Sequence, residues 1–376
     1  MPSVDFWTSN EYSGFLASVV RELRDQRVSA RQRFHISDQD YRKKRGRLGR
    51  LGLRSRQYIL YPVQLLGSLV FQRKPGILVV TTNTFYAPLL ASFLHPRCVF
   101  LLYDLFPEAL IQSGGLKPDG ILAKTLSRIT DQSLKRCSAT VFLNEGTRRH
   151  TESHHATPAM GRTIPVGATG DEFPDPPTLE RVPPTFLYSG NFGRMHETET
   201  ILGAFENWSR KPAFPDAFWR FQCSGPGYPK VEAAIVSLPP ESRSRFTIGS
   251  GLPFPEWVEA MKRADIALVT MRPGAETVVM PSKTYSALVA GQAVLAVAPE
   301  NSDLADLIHR HDCGWVVKPG DVDGFIHTVE SIAANPGEVL LKRQNAYRAG
   351  HEHYSAKAVA KLWIELFEEL LKEDKK

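Results

Sequence analysis

The chain alternates between short apolar runs rich in β-branched residues and segments whose apolar residues recur at helical spacing. A polar or glycine-rich cluster follows almost every run. Alternation of this kind predicts an α/β fold with parallel sheets, whose functional loops gather at the carboxyl ends of the strands. With 376 residues, the chain is long enough for two domains. The predicted strands are 77–81, 98–103 and 139–143 in the first half, and 186–188, 219–223, 246–248 and 266–270 in the second.

The stretch 185–202 is the most informative of these units. A buried strand through Tyr188 runs into Gly190-Asn191-Phe192-Gly193-Arg194-Met195-His196, and a helix follows with Ile201, Leu202 and Phe205 on its apolar face. A strand that breaks at glycines into a helix presents unpaired N–H groups and the positive end of the helix dipole. We expect a diphosphate site here, with Arg194 able to bind two oxygens at once. An ordinary βα turn with a solvated Arg194 remains the alternative.

A second helix opening lies about ninety residues further on, in Pro281-Ser282-Lys283-Thr284-Tyr285-Ser286-Ala287. Ser282 has the character of an N-cap, and the helix behind it runs to Ala290. Lys283 then falls in the first turn, where a cation opposes the helix dipole unless an anion lies there too. A tolerated surface lysine is the simpler explanation of the same pattern.

The positive charge of the chain is concentrated in one segment. The formal net charge is +6, yet the eight Lys and Arg residues between 42 and 56 have no acid among them, and without them it would be −2. Pro62 fits the first turn of the following helix, whose apolar residues include Val63, Leu66 and Val70. A basic run joined to an apolar helix is typical of a segment that lies on an anionic membrane, here 42–73. A core helix behind a solvated loop is the alternative, and nucleic acid is disfavoured because no aromatics are interleaved in the run.

Composition excludes several classes of protein. Hydrophobic residues make up 42% of the chain and charged residues 23%, as in a globular protein. Cys98, Cys137, Cys223 and Cys313 lie far apart, mostly among apolar neighbours, which predicts reduced core thiols and a cytoplasmic location. No signal-peptide pattern opens the sequence, and no run reaches the roughly 18 apolar residues that a membrane span requires.

The glycine loop and the Pro-Ser-Lys helix, in this order and spacing, resemble the donor domain of the family-4 retaining glycosyltransferases, closest to the branch that builds bacterial surface polysaccharides. The match covers most of 164–354. It implies the GT-B fold, in which two Rossmann-like domains face a central cleft and the C-terminal domain holds a nucleotide-sugar, with a UDP-sugar favoured here. The expected divisions are an acceptor-side domain 1–165, a linker 166–184, a donor domain 185–354 and an amphipathic helix 355–376 that returns to the first domain.

The resemblance also implies roles for individual residues. Arg194 and Lys283 would stabilise the leaving diphosphate without a metal ion or other cofactor, and Asp104 would orient the acceptor. His196 would donate to a phosphate or a sugar hydroxyl. The remaining donor-binding residues would be Gly190, Asn191, Gly193, Gly225, Gly227, Gly249, Leu252, Ser282, Tyr285 and Ser286, and the remaining acceptor-side residues Asn10, Glu11, Tyr12 and Glu108.

The sequence departs from the family's pattern at two points. Where the family has two glutamates spaced E-x7-E, this chain has Val278 and Ser286, so Glu276 is the candidate for the sugar hydroxyls. Where a lysine commonly follows the glycine-loop arginine, the chain has Glu199. The expected activity is transfer of a sugar to a lipid-linked oligosaccharide or glycolipid at the inner face of the cytoplasmic membrane. A sugar-nucleotide epimerase of the same fold and a catalytically degenerate membrane scaffold remain open as alternatives.

Overall fold

The computed structural model describes residues 3–11, 15–43, 46–210 and 215–373. Contacts between Cα atoms divide the chain into two compact units. The first unit contains residues 1–168 together with 356–376, and the second contains 169–355. Each is built on a six-stranded parallel sheet, which confirms the predicted α/β class.

The sheet of the first unit has the strand order β2-β1-β3-β4-β5-β6. Its central strands carry continuous apolar runs because helices cover both faces of a parallel sheet. The strands are β1 (Val4–Asn10), β2 (Ala30–Ile36), β3 (Ile77–Thr81), β4 (Cys98–Leu102), β5 (Ala139–Phe142) and β6 (Gly161–Thr163), and the helices are α1 (Leu16–Asp25), α2 (Asp38–Arg42), α3 (Arg47–Ser55), α4 (Tyr61–Phe71), α5 (Ala87–Leu94), α6 (Glu108–Gln112), α7 (Ile121–Arg136) and α8 (Glu145–His154).

The sheet of the second unit has the order β12-β11-β10-β7-β8-β9. The chain therefore places β8 and then β9 on one side of β7, and afterwards crosses to the other side of β7, where β10, β11 and β12 follow in order. The strands are β7 (Thr185–Asn191), β8 (Phe218–Ser224), β9 (Phe246–Gly249), β10 (Ile266–Thr270), β11 (Ala293–Val297) and β12 (Gly314–Val317), and the helices are α9 (Glu199–Ser209), α10 (Tyr228–Val236), α11 (Pro240–Arg243), α12 (Phe254–Arg263), α13 (Lys283–Val289), α14 (Asp303–His311), α15 (Val322–Ala334) and α16 (Pro336–Ala349).

The last helix, α17 (Ala356–Glu373), belongs to the first unit although it follows the second in sequence. A π turn (Gly350–Tyr354) precedes it. Trp363 is 3% exposed and lies edge-on to Phe6 of β1, with ring centroids 5.2 Å apart. The helix thus completes the apolar core of the first unit, because its buried face covers the strands at the centre of that sheet.

From Arg47 onward, the basic segment and the apolar segment after it form one nearly continuous helix. Helix α3 passes through a π turn (Arg56–Leu60) into α4, so Pro62 lies in the first turn of α4 as predicted, but the chain before it is also helical. Helix α4 buries Tyr61, Pro62, Leu65 and Leu69, whereas Val63 and Val70 point to solvent. None of the helices in the described part of the chain combines the length and apolarity that crossing a bilayer requires.

Candidate functional site

The glycine loop lies where the second sheet changes direction. Strands β7 and β10 are neighbours in the sheet but are not consecutive in the chain, and crevices at such switch points are the usual ligand sites of open α/β sheets. The loops that follow the two strands are bonded together. The Arg272 N–H donates to the Met195 carbonyl at 3.0 Å, and the Arg272 guanidinium donates to the Arg194 carbonyl at 3.3 Å. Residues after β10 therefore hold the glycine loop in place.

Lys283 brings the second predicted helix opening to the same loop. Its Nζ would lie 3.8 Å from a Cβ placed on Gly190, and it donates to the Tyr188 hydroxyl at 2.5 Å. The amine also lies 3.9 Å from the centre of the Tyr188 ring, a cation–π distance. Burial lowers the pKa of Lys283 to about 7. The two segments thus converge at one end of the sheet, with the exposed Arg194 in the same loop.

Gly225 and Gly227 let the loop after β8 pack against the glycine loop. Gly225 has φ +94°, and a Cβ there would lie 1.9 Å from Oδ1 of Asn191. A Cβ on Gly227 would lie 2.8 Å from the Cβ of Phe192. The Phe192 N–H donates to the Ser224 carbonyl at 2.7 Å, and the Gly227 N–H to the Phe192 carbonyl at 3.1 Å. The structure therefore gives these two glycines a packing role.

The helix after the glycine loop begins later than predicted. Helix α9 starts at Glu199, six residues beyond Gly193, and the buried Glu197 carboxylate accepts the Thr200 N–H at 2.7 Å. The expectation that this helix opens at the glycines is wrong, because α9 begins six residues later and the Glu197 carboxylate already binds one N–H of its first turn. At the glycine turn itself, the structure places the Lys283 amine beside Gly190.

Ser282 occupies the N-cap position of α13 but does not cap it. Its backbone is already helical, its side chain makes no capping hydrogen bond, and the Thr284 N–H bonds to the Pro281 carbonyl instead. The predicted capping role of Ser282 is therefore wrong. Tyr285 is 3% exposed, and its ring packs on Tyr354 at 5.1 Å, so its side chain belongs to the core and not to the donor surface.

One ring nitrogen of His196 is already engaged by the backbone. Its Nδ1 donates to the Thr270 carbonyl at 2.8 Å, which leaves Nε2 with the lone pair of the neutral ring. Burial and then the charge of Lys283 lower the pKa of His196 to about 4. In the neutral ring Nε2 can accept a hydrogen bond from a hydroxyl, whereas the predicted donation to a phosphate requires the protonated ring.

Four other predicted residues of the donor side lie at the end of β9, on loops of the second unit or on α13. The Glu276 carboxylate accepts the Gly274 N–H of its own loop at 2.7 Å, which shapes that loop. Gly249 ends β9, Leu252 is half-buried in the loop after it, and Ser286 is half-buried on α13. Sequence reasoning missed the contacts that Tyr188 makes with Lys283 and that Arg272 makes with the glycine loop. A tyrosine at the end of an apolar run has the pattern of an ordinary core residue.

The acceptor-side residues lie at the carboxyl edge of the first sheet, but two of the acids already have partners. Glu11 accepts the Asp38 N–H at 3.1 Å, at the start of α2. Glu108 accepts from the buried ring of His155 at 2.9 Å. Asp104 is exposed, whereas Asn10 is buried and accepts from the Ser9 hydroxyl at 2.7 Å. Tyr12 lies outside the described residues.

The described residues contain no group of three or more His, Cys, Asp or Glu side chains arranged to hold a metal ion. The four cysteines are free and buried. The Sγ atoms of Cys98 and Cys137 lie 3.9 Å apart.

Comparisons with known proteins find a related sequence and solved structures with a similar fold. No family model matches the chain. It is 26% identical over 268 residues to the probable glycosyltransferase WbjE of Pseudomonas aeruginosa, a match that covers 69% of this chain and 64% of WbjE. WaaG, a glycosyltransferase involved in lipopolysaccharide biosynthesis, has a TM-score of 0.66 at 14% identity, over 96% of this chain and 98% of WaaG.

HepE from Anabaena, solved in complex with UDP-glucose, has a TM-score of 0.70 at 11% identity, over 98% of this chain and all of HepE. These likenesses confirm the GT-B fold and the resemblance to glycosyltransferases that the sequence predicted.

Proposed function

We propose that this protein is a retaining glycosyltransferase that uses a nucleoside diphosphate sugar, most favourably a UDP-sugar. The observation that carries the proposal is the convergence of Lys283 on the Gly190 turn at the switch point between β7 and β10. The similarity to WbjE and the fold shared with UDP-glucose-bound HepE support the same donor class. A partly desolvated amine beside a glycine turn is suited to binding a diphosphate, because its charge is weakly screened there.

The proposed mechanism relies on the protein's own cations. Arg194 and Lys283 stabilise the negative charge that develops on the leaving diphosphate, so the reaction needs no divalent metal. The acceptor hydroxyl attacks from the face that the leaving group departs from, and a departing phosphate oxygen takes its proton. Nε2 of His196 accepts a hydrogen bond from a sugar hydroxyl, and Glu276 and Ser286 bind further hydroxyls. The carboxylate of Asp104 orients the acceptor.

The acceptor we propose is lipid-linked, an oligosaccharide or glycolipid presented at the inner face of the cytoplasmic membrane. The helix through α3 and α4 exposes Leu48 by 84%, Val63 by 63% and Phe71 by 88%, and it carries the exposed cations Arg50 and Arg54. Exposed apolar side chains beside cations are typical of helices that lie on anionic membranes. The role of WaaG in lipopolysaccharide biosynthesis supports a surface glycan as the product.

Calorimetric titration with UDP-glucose, GDP-mannose and ADP-glucose tests the donor site. We expect at least one to bind, and Lys283→Met to weaken that binding by about 10- to 100-fold, since a hydrogen bond to a charged group contributes roughly 1.5–3 kcal/mol. Lys262→Met, an exposed lysine at the end of α12, is the matched control and should leave affinity unchanged. Binding that survives loss of both Arg194 and Lys283 would contradict the proposal.

Two further assays separate the proposed reaction from its alternatives. Transfer of labelled sugar to a membrane extract, undiminished by EDTA, supports metal-free transfer to a lipid acceptor. Conversion of the free sugar nucleotide without an acceptor would instead identify an epimerase. No affinity for any nucleotide sugar would favour the scaffold.

Co-sedimentation with vesicles tests the membrane contact. Vesicles of anionic phosphatidylglycerol should retain the protein, and neutral phosphatidylcholine vesicles should not. Each cation near an anionic surface contributes about 1 kcal/mol, so reversing Arg50 and Arg54 to Glu should release the protein. Arg243→Glu with Arg245→Glu in the second unit is the control, and release by both pairs alike would argue against a defined surface.

A further inference from the structure

The π turn between α3 and α4 is fixed to the loop that follows β3. Pro62 has no N–H, and the Tyr61 N–H bonds five residues back to the Arg56 carbonyl. The carbonyl of Gln57 is therefore left without a helical partner, and the carbonyl of Tyr58 loses its usual partner, the N–H four residues on. The Thr84 hydroxyl donates to the first at 2.8 Å, and the Tyr86 hydroxyl donates to the second.

A third bond strengthens this attachment, because the Gln57 side-chain amide donates to the Asn83 carbonyl at 2.7 Å. Residues 83–86 thus bind both the backbone and a side chain of the turn. Single π turns inside helices are frequent at functional sites. This one carries the side chain of Tyr58.

The fixed turn places Tyr58 in a row of three half-buried aromatic rings, Tyr58, Phe85 and Phe106, which we call the aromatic row. The ring centroids of Tyr58 and Phe85 are 6.4 Å apart, and those of Phe85 and Phe106 are 6.0 Å apart. All three rings keep part of their surface exposed to solvent. Because β3 and β4 are adjacent parallel strands, the loops that carry Phe85 and Phe106 meet at one edge of the sheet.

Polar groups flank the aromatic row. Asp104 is exposed and lies two residues before Phe106. Burial raises the pKa of the Tyr58 hydroxyl, Arg54 opposes that shift, and Tyr41 and the Asp104 carboxylate add to it, so that carboxylate lies within electrostatic reach of the ring. The buried Oδ1 of Asn83 has no hydrogen-bond partner among the described residues. Apolar faces with a few polar groups at their edge are what a sugar ring requires, since its faces carry C–H groups and its rim carries hydroxyls.

We propose that the aromatic row and Asp104 bind a carbohydrate ring of the acceptor, with the sugar face on Tyr58 and Phe85 and a hydroxyl donating to the Asp104 carboxylate. This inference rests on the proposed function and locates its acceptor. It also links the surface-exposed helix through α3 and α4 to the acceptor site, because the same π turn belongs to both. The proposed subsite does not use Glu11, which accepts from the start of α2, or Glu108, of which Oε1 accepts from His155.

Saturation-transfer NMR on the full chain tests the proposal without requiring turnover. The probes are the methyl glycosides of glucose, galactose and N-acetylglucosamine, together with UMP and a short prenyl phosphate. At least one glycoside should receive saturation through its C–H face. Tyr58→Leu and Phe85→Leu should each reduce that signal at least fivefold, whereas Tyr58→Phe should keep it.

Two controls keep the result interpretable. Phe254→Leu, an exposed aromatic of the second unit, should leave the glycoside signal unchanged. The Kd for the donor nucleotide should be the same in every variant, which shows that the fold is intact and separates this proposal from the donor site. If UDP-glucose and its relatives do not bind while the glycoside effect is found, the proposed function fails and this subsite stands.

Several outcomes overturn the inference. One is the absence of saturation on any glycoside at millimolar concentration, and another is an equal signal in Tyr58→Leu and the unaltered protein. Preferential saturation of UMP would assign the row to a nucleobase, and preferential saturation of the prenyl chain would assign it to a lipid. With a working transfer assay, Asp104→Asn and Tyr58→Leu should raise KM for the acceptor by tenfold or more and leave KM for the donor unchanged.

Discussion

At the scale of single residues, the site is governed by how little water reaches Lys283. The amine lies on the ring of Tyr188 and donates to its hydroxyl, and burial lowers its pKa from the ordinary 10.5 to about 7. At neutral pH the amine is therefore only partly charged when no ligand is bound. A bound diphosphate would favour the protonated form, so ligand binding and proton uptake are coupled.

We expect the affinity for UDP-glucose to be full below pH 7 and to fall as the pH rises from 7 to 9. Its slope approaches, at most, about tenfold per pH unit, because one proton is taken up on binding. Calorimetry across this range checks the slope, and Lys283→Met should abolish it. Melting temperatures are not a substitute for this titration. Between about pH 7 and 10.5 Lys283 takes up a proton when the protein unfolds, so its contribution to the free energy of unfolding rises with pH while ligand affinity falls. A slope equal in both proteins would contradict the assignment.

Gly225 carries a second prediction at this scale. Its φ of +94° is strained for any side chain, and a Cβ would overlap Oδ1 of Asn191. Gly225→Ala should lower the free energy of unfolding by about 1–3 kcal/mol and weaken donor binding, because the glycine loop must shift. Urea unfolding and UDP-glucose titration measure the two effects. Gly52→Ala, in α3 with open space around its Cα, should instead stabilise by about 0.5–1 kcal/mol.

At the scale of elements, one histidine forms ion pairs with two carboxylates and so connects three helices of the first unit. The buried His155, just after α8, donates from Nε2 to Glu108 of α6 and from Nδ1 to Asp131 of α7, both at 2.9 Å. Because each carboxylate accepts, the ring must carry both protons. Burial by itself lowers the pKa of His155, but the two carboxylates outweigh it and raise the pKa above its ordinary value.

The free-energy cost of replacing this histidine should depend on pH in a defined way. The contribution of His155 is complete below the unfolded pKa of about 6.5 and is lost as the pH rises through the higher folded value. His155 holds the pKa of Glu108 below its ordinary value against the effect of burial, so the contribution of Glu108 is complete above about pH 4.5 and is lost as the pH falls.

His155→Gln should therefore cost about 3–5 kcal/mol at pH 6, where both contributions are present, and less at pH 9. Guanidinium unfolding across the pH range measures this difference. The neighbouring His150, whose pKa burial lowers, supplies the control variant His150→Gln. A cost independent of pH would mean that the ring is neutral in the folded protein.

The elements themselves were largely predictable, whereas their junctions were not. The strands at 77–81, 98–102 and 266–270 and the final helix follow from residue periodicity, which acts over a few neighbouring positions. The start of α9 was missed because Glu197, with no N-cap signature, satisfies its first turn. The π turn was missed because its two freed carbonyls find partners at Thr84 and Tyr86, more than twenty residues away.

At the scale of the whole molecule, the final helix makes the first unit depend on both ends of the chain. Trp363→Ala removes a buried aromatic from the core against Phe6 and should lower the free energy of unfolding of the first unit by about 3–5 kcal/mol. We expect the Kd for UDP-glucose to stay unchanged, since the donor residues all belong to the second unit. Calorimetric melting should show two transitions. The substitution should lower the melting temperature of the first unit, and the nucleotide should stabilise the second unit by roughly 2.7 kcal/mol at 100 times its Kd. A common loss of both would show that the units unfold together.

The sequence by itself determined the α/β class, and it singled out the glycine loop and the lysine helix as the proposed donor site, because turn chemistry and periodicity are local properties. Only the tertiary structure decided which groups those segments meet. Lys283 lies on Tyr188 from 95 positions away, and Glu108 faces His155 from 47 positions away. Such pairs depend on strand order and on the burial of one specific side chain against another, and no local pattern encodes either.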